Sequence, residues 1–429
     1  MYGKVNLMKL LDGMVKKVLG NGLKVFILPM KNYNKTIAVY STKYGSLDSE
    51  FILPGSEEKI KVPEGIAHFL EHKMFDMEYG NAFDKFSELG AESNAFTSYN
   101  NTTYYFSTTS NFYESLKVLL DFVETPYFTE ESVEKEKGII TQELKMYEDD
   151  PDWQVYLNLL KSLYHAFPVR IDIGGTVESI QRINTELLYK CYNTFYHPSN
   201  MVLFIIGPVD AKEVLEFVEK HEEKRNLKSQ KEIKRIYPDE PKTVFQKEIK
   251  IRHSVAQPLL LLGFKDVDTG YDGEKLLKKD IIIGILLEIM FGKSSETYER
   301  LYEAGLIDDR FGFSFEAYKD YGFCTIGGNT RDPEKLANEI IKNINSFKTK
   351  GISREDFEII KRKFKGDFIQ SLNSLDFIAH SFISYYHRGI DMFDFPLALE
   401  ELSFDEVVNY IESFFDEDRM SISMVLPKG

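Results

Sequence analysis

The segment EKHEEKRNLKSQKEIKRIYPDEPK, residues 219–242, is highly charged and poor in apolar residues, and the chain reads alike on its two sides. At 429 residues it is also too long for one ordinary core. Before the segment, LKVFILP and KTIAVYSTKYGS alternate as strands do. A helix-like stretch follows from Glu64 to about Phe75, and residues 91–108, rich in Thr, Tyr and Phe, read as paired strands. Helical periodicity returns in SLKVLLDFVETP and SVEKEKGIITQELKMYED, and MVLFIIGPVD is a buried strand closed by Gly-Pro. Beyond the segment, strands around KTVFQKEIKIRHS and PLLLLGF open a similar order. FTEESVEKEKG at 128–138 matches ISREDFEIIKR at 352–362, an offset of 224. The same offset lays His68–His72 over Gly292–Glu296, inside the apolar stretch IGILLEIMFGKSSETYERLYE. The expectation is a duplicated α+β protein: a domain over 1–218, a charged linker over 219–242 and a second, homologous domain over 243–429.

Composition narrows the function. Hydrophobic residues make up 43% and charged residues 28%, as in globular chains. The formal net charge of −15 argues against nucleic acid or an anionic membrane surface as the main partner. No segment approaches the ~18 uninterrupted apolar residues of a membrane helix. The start, MYGKVNLMKLLDGMVKKVLG, lacks a long apolar run, so no secretory leader and a cytoplasmic location are expected. The two cysteines, Cys191 and Cys324, are far apart and read as buried thiols, with neither disulfide nor cysteine-rich metal spacing.

The chemistry concentrates in GIAHFLEHKMF, residues 65–75. His68 and His72 are four apart, so on a helix they lie one turn above each other and can share one tetrahedral metal ion. Glu71 stands beside that face, placed to act as a base on water rather than as a ligand. Ile66, Phe69, Leu70 and Met74 form the opposite stripe and read as core. The H-x-x-E-H order is one of the metallopeptidase arrangements.

A catalytic zinc needs a third protein ligand and an open position. Glu136 and Glu143, seven apart, share a face of the later helix. Val133, Ile140, Leu144 and Tyr147 flank them on one side, and Ile139 and Met146 on the other. Carboxylates amid apolar residues are costly unless paired or bound to metal. One should hold the ion and the other should orient a histidine ring. Spacing alone leaves open which does which.

The chain resembles the pitrilysin-type (M16) zinc peptidases, which include insulin-degrading enzymes and mitochondrial processing peptidases, and is most similar to small bacterial members. GIAHFLEHKMF resembles that family's zinc helix, SNAFTSYNNTTYYF its substrate strand, EKEKGIITQEL its second ligand helix and FYHPSNMVLFIIGPVD the end of its first domain. The resemblance implies two domains, each a mostly antiparallel sheet packed with helices, arranged as a clamshell. It implies one zinc ion per chain held by His68, His72 and Glu143, with Glu136 in support and Glu71 as the base. It assigns Asn94 and Ala95 to a strand edge that takes up peptide backbone, which suits strand addition.

One departure stands out. Family members carry an Arg and a Tyr seven apart in the second domain. In GKSSETYERLYEAGLIDDRF the Arg position is Tyr302, and the Tyr position falls near Asp308 or Asp309. The expectation is therefore a zinc endopeptidase acting on peptides as the zinc-bearing subunit of a heterodimer, whose homologous partner supplies Arg and Tyr; a homodimer is the lesser variant. The rivals are a non-catalytic binding or assembly subunit of the same fold and a zinc hydrolase of small amides. His165, His197, His221, His253, His380 and His387 show no ligand spacing.

Overall fold

The computed structural model describes residues 13–428. The stretch on which the absence of a leader was read lies partly outside the described residues. Eleven strands make up the two main sheets: β1 (Val15–Val18), β2 (Lys24–Pro29), β3 (Thr36–Thr42), β4 (Glu92–Thr97), β5 (Thr102–Thr108), β6 (Met201–Gly207), β7 (Glu248–His253), β8 (Leu259–Asp266), β9 (Gly312–Ala317), β10 (Gly322–Asn329) and β11 (Met420–Pro427). The helices that carry the argument are α1 (Ile66–Met74), α2 (Glu130–Glu148), α3 (Pro151–Leu163), α4 (Ala211–Glu223), α5 (Gly273–Phe291), α6 (Glu296–Glu303), α7 (Arg354–Ser371) and α8 (Leu375–His387). The protein is α+β, and among the described residues no helix is long and apolar enough to cross a membrane.

The chain forms two compact units. One comprises residues up to Leu144, Asp172–Tyr237 and Ser371–His387; the other comprises Lys145–Ile171, Pro238–Gln370 and Arg388 onward. The first is built on a sheet of order β1-β2-β6-β3-β5-β4, the second on a sheet of order β7-β11-β8-β10-β9. These orders match strand for strand from β2 and β7 outward. In both, the pair β2–β6 or β7–β11 is parallel and the remaining pairs are antiparallel. The helices keep the sequence offset of 224: Glu130 and Arg354 open α2 and α7, and Pro151 and Leu375 open α3 and α8.

In the first unit β3 and β6 are buried at every position, because helices cover both faces of the sheet. Alternation divides their side chains. Leu203, Ile205, Ala38 and Tyr40 enter the main core, while Phe204 stacks on Phe382 of α8 at 4.1 Å and Ser41 hydrogen-bonds His387 at 2.8 Å. In the second unit α3 has the corresponding place. Val155 clusters with Leu259 and Val425, and Leu159 reaches so close to Gly263 that a Cβ there would meet it at 2.9 Å.

These contacts redraw the expected boundaries. Residues 219–242 are not a free linker. The last turn of α4 buries Glu222, and Lys234–Arg235 pairs with the short strand Glu50–Ile52. Charge hid this, because the buried residues there, Glu222 and Ile233, are scattered among exposed charged ones. The boundaries 1–218 and 243–429 also miss the two helices, α3 and α8, that leave their own half of the sequence. The overlay of His68–His72 on Gly292–Glu296 fails as well, since that stretch is broken into α5 and α6. The cause is spacing: 43–65 separates β3 from α1, whereas only 267–272 separates β8 from α5.

Candidate metal centre

Helix α1 begins where its neighbours allow nothing but glycine. Gly65, its N-cap, has φ 83°, and a Cβ there would lie 2.2 Å from the carbonyl oxygen of Gly174. Ser179 Oγ donates to the Glu64 carbonyl at 2.8 Å, so the loop after residue 171 pins the helix start. Ile66, Phe69, Leu70 and Met74 are buried as the periodicity predicts. This packing turns His68 and His72 to the other side, with ring centroids 4.6 Å apart.

Helix α2 supplies the carboxylates. Val133, Ile140 and Leu144 anchor one flank. The other flank differs from expectation: Ile139 and Met146 are exposed, at 45% and 60%. That side is only partly covered among the described residues, so Glu136 and Glu143 sit at a boundary rather than inside a closed apolar face.

The four groups converge. His68 Nε2 lies 3.8 Å from Glu143 Oε1, and His72 Nε2 lies 3.6 Å from Glu143 Oε2. The three candidate ligand atoms fall within 4.8 Å of one another. Ligand atoms about 2.0–2.1 Å from a tetrahedral zinc stand about 3.3 Å apart, so a small contraction fits the ion. Glu136 Oε1 sits 3.0 Å from His72 Nδ1, on the opposite ring nitrogen. Burial and the adjacent His72 push His68 down to about 3, so its ring is neutral and its Nε2 lone pair is available. Burial opposes charge on His72, but the Glu136 hydrogen bond and the carboxylates of Glu71 and Glu143 outweigh it and hold the ring above its usual range. The donor set, two imidazoles and one carboxylate, suits zinc.

Glu71 stands apart from the triad. It is 8% exposed, and its Oε2 accepts a 2.7 Å hydrogen bond from Thr97 Oγ1 on β4. Burial raises its proton affinity, and the Thr97 hydroxyl partly offsets this. Sequence reading missed Thr97, although strand alternation two residues beyond Ala95 would have pointed to it.

Beside Glu71, His72 and Glu136 opens a cleft of about 510 Å³, whose wall includes Phe75, Phe83 and Ile139. Phe75 and Phe83 stack at 4.0 Å. Asn94 also lines the cleft, and its Oδ1 accepts from the Ala95 N–H at 2.8 Å. β4 is the last strand of its sheet, so one edge of its backbone is unpaired within the unit. Asn94 and Ala95 lie on that strand.

In the second unit Tyr302 is exposed and stacks on Tyr298 at 5.9 Å, and Asp308 accepts from Asn329 at 3.2 Å. Neither position offers an Arg or a Tyr of the expected pair. Cys191 and Cys324 are fully buried, with thiols pushed up to about 12 by burial, so neither is a nucleophile.

Comparison with known proteins shows the family of the chain. The family described as Insulinase (Peptidase family M16) matches residues 51–177, which contain α1, His68, Glu71, His72, Glu136 and Glu143. The family described as Peptidase M16 inactive domain matches residues 182–364. A Bacillus subtilis (strain 168) protein named as an uncharacterized zinc protease, YmfH, is 46% identical over 411 residues, which is 96% of each chain. The structure of an M16-like peptidase from Alicyclobacillus acidocaldarius superposes with a TM-score of 0.94 at 38% identity, covering 97% of this chain and 98% of that one. A protease from Helicobacter pylori shares the fold, with a TM-score of 0.81 at 23% identity over 96% of this chain and 99% of its own. Two family matches in tandem and near-complete coverage by a relative this similar admit one conclusion, that the chain belongs to the M16 family of peptidases.

Proposed function

We propose that the protein is a zinc-dependent endopeptidase that cleaves extended peptide segments. The observation that carries this reading is Glu71, a buried carboxylate held by Thr97 beside His68, His72 and Glu143. A purely structural zinc site has no use for such a base. Zinc bound by the triad would supply Lewis acidity, polarising the scissile carbonyl and acidifying a water. Glu71 takes the proton of the attacking water, and its raised proton affinity suits it to return that proton to the leaving amine. The free edge of β4 pairs with substrate backbone by strand addition, with Asn94 and Ala95 at the contact, and the cleft beside Phe75 receives a side chain.

The second half of the site is proposed to come from another chain. Tyr302, Asp308 and Asp309 stand where the family's Arg and Tyr are expected, and an oxyanion needs donors besides the metal. A homologous partner chain in a heterodimer would supply them. The same observation favours one competing reading, a non-catalytic binding or assembly subunit that keeps its zinc. A quenched peptide, offered to the zinc-loaded chain alone and with a co-purified homologue, separates the two. Cleavage in either condition supports the peptidase; binding without cleavage in both sinks it. The cytoplasmic location stays part of the proposal, and fractionation of the source cells tests it.

A further inference from the structure

The two histidines are unequally supported. His72 Nδ1 meets Glu136, whereas His68 Nδ1 is buried and has no hydrogen-bond partner among the described residues. A ring that binds metal through Nε2 must place its Nδ1–H on an acceptor, or leave a buried donor unsatisfied, which is costly. The ring edge of His68 faces the loop Asp172-Ile173-Gly174-Gly175. A Cβ built on Gly174 would lie 2.8 Å from Leu144 Cδ2, 3.4 Å from Asp172 Oδ1 and 3.6 Å from His68 Nδ1, so the two polar atoms flank the same bare backbone, with Leu144 packed against it. Asp172 Oδ1 is tethered there by the Gly174 N–H at 2.8 Å.

We propose that Asp172 is the outer acceptor for the Nδ1–H of His68 once the ion is bound, through one water, and is a positioning residue for the metal site. Glycine at position 174 lets the loop come this close to both groups. Each histidine would then have its own carboxylate, Glu136 from a helix and Asp172 from a loop. The inference rests on the ligand assignment above, but not on the peptidase reading.

The test uses the full chain and reads zinc affinity by competition with a chromophoric chelator, alongside the melting temperature of the zinc-free protein. Asp172→Asn keeps an oxygen for the Gly174 N–H but loses the charge. Its zinc affinity should fall about 10–100-fold while the zinc-free melting temperature is unchanged. Asp172→Ala should lose at least as much affinity. Affinity of D172N within twofold of the wild type overturns the proposal. So does a parallel fall of affinity and zinc-free melting temperature, which would make Asp172 a loop anchor only. A wild type that binds no zinc removes the ligand triad and this support with it. A zinc-loaded wild type inert towards peptides sinks only the peptidase reading, because this comparison never measures cleavage.

Discussion

Glu136 Oε1 sits 3.0 Å from His72 Nδ1, and the other nitrogen of the same ring points at Glu143, 3.6 Å away. On the proposed assignment the two carboxylates, seven residues apart, have different tasks: removing Glu143 would delete a ligand, and removing Glu136 would only loosen one. Glu136→Ala should lower zinc affinity about 10–100-fold, and Glu143→Ala by more. Chelator competition measures both, and equal losses would contradict the division of roles.

Glu71→Gln separates binding from chemistry. The amide can keep the Thr97 hydrogen bond, because its carbonyl oxygen still accepts, but it cannot take a proton. Zinc content should stay at the wild-type level while peptide hydrolysis falls by about 10²–10⁴-fold. Metal analysis and a peptide assay on the same preparation check this. A zinc-loaded, active variant would remove Glu71 from the mechanism.

Local spacing made the two residue pairs legible, while the choice of Glu143 over Glu136 came from the family resemblance and the meeting of α1 with α2 from the fold. Four residues bring His68 over His72 and seven bring Glu136 under Glu143, whatever the rest of the chain does. Thr97 and Asp172 come to the site from elsewhere in the fold, and no period links them to α1. The same limit explains the domain boundaries. α3 and α8 look like any amphipathic helix of their own half, and only the sheets they cover reveal their unit. The exposure of Ile139 and Met146 was hidden for the same reason: apolarity does not say whether a partner is present.

Phe382 tests the placement of α8. It is buried, stacks on Phe204 at 4.1 Å and meets Phe26 edge-on at 5.0 Å, against the sheet that also carries β4. Phe382→Ala should cost about 3–5 kcal/mol through the cavity it leaves. Thermal unfolding of the variant should show the first unit melting earlier. Hydrogen exchange would locate the loss in β3 and β6; protection unchanged there would contradict the assignment of residues 371–387.

A pH dependence should arise far from the metal. Glu222 in α4 is buried, and burial together with a hydrogen bond to Glu124 pushes its carboxyl up to about 8, against the opposing pull of Arg225 and Asn21. The folded state therefore holds a proton that the unfolded chain releases at its ordinary value near 4.5. The contribution is complete below that value and fades as pH rises towards about 8, because over this window the native state binds more protons. The slope from one such group is at most about 1.4 kcal/mol per pH unit. Glu222→Gln imitates the protonated form and keeps an acceptor for Asn21, which donates to Glu222 Oε2 at 2.5 Å. The variant should match the wild type near pH 4.5, melt higher at pH 8, and show a flatter melting curve between the two. Identical pH profiles for both proteins would mean that Glu222 is ionised in the fold and that Arg225, which lies 3.3 Å from Glu222 and 3.2 Å from Glu124, neutralises the pair.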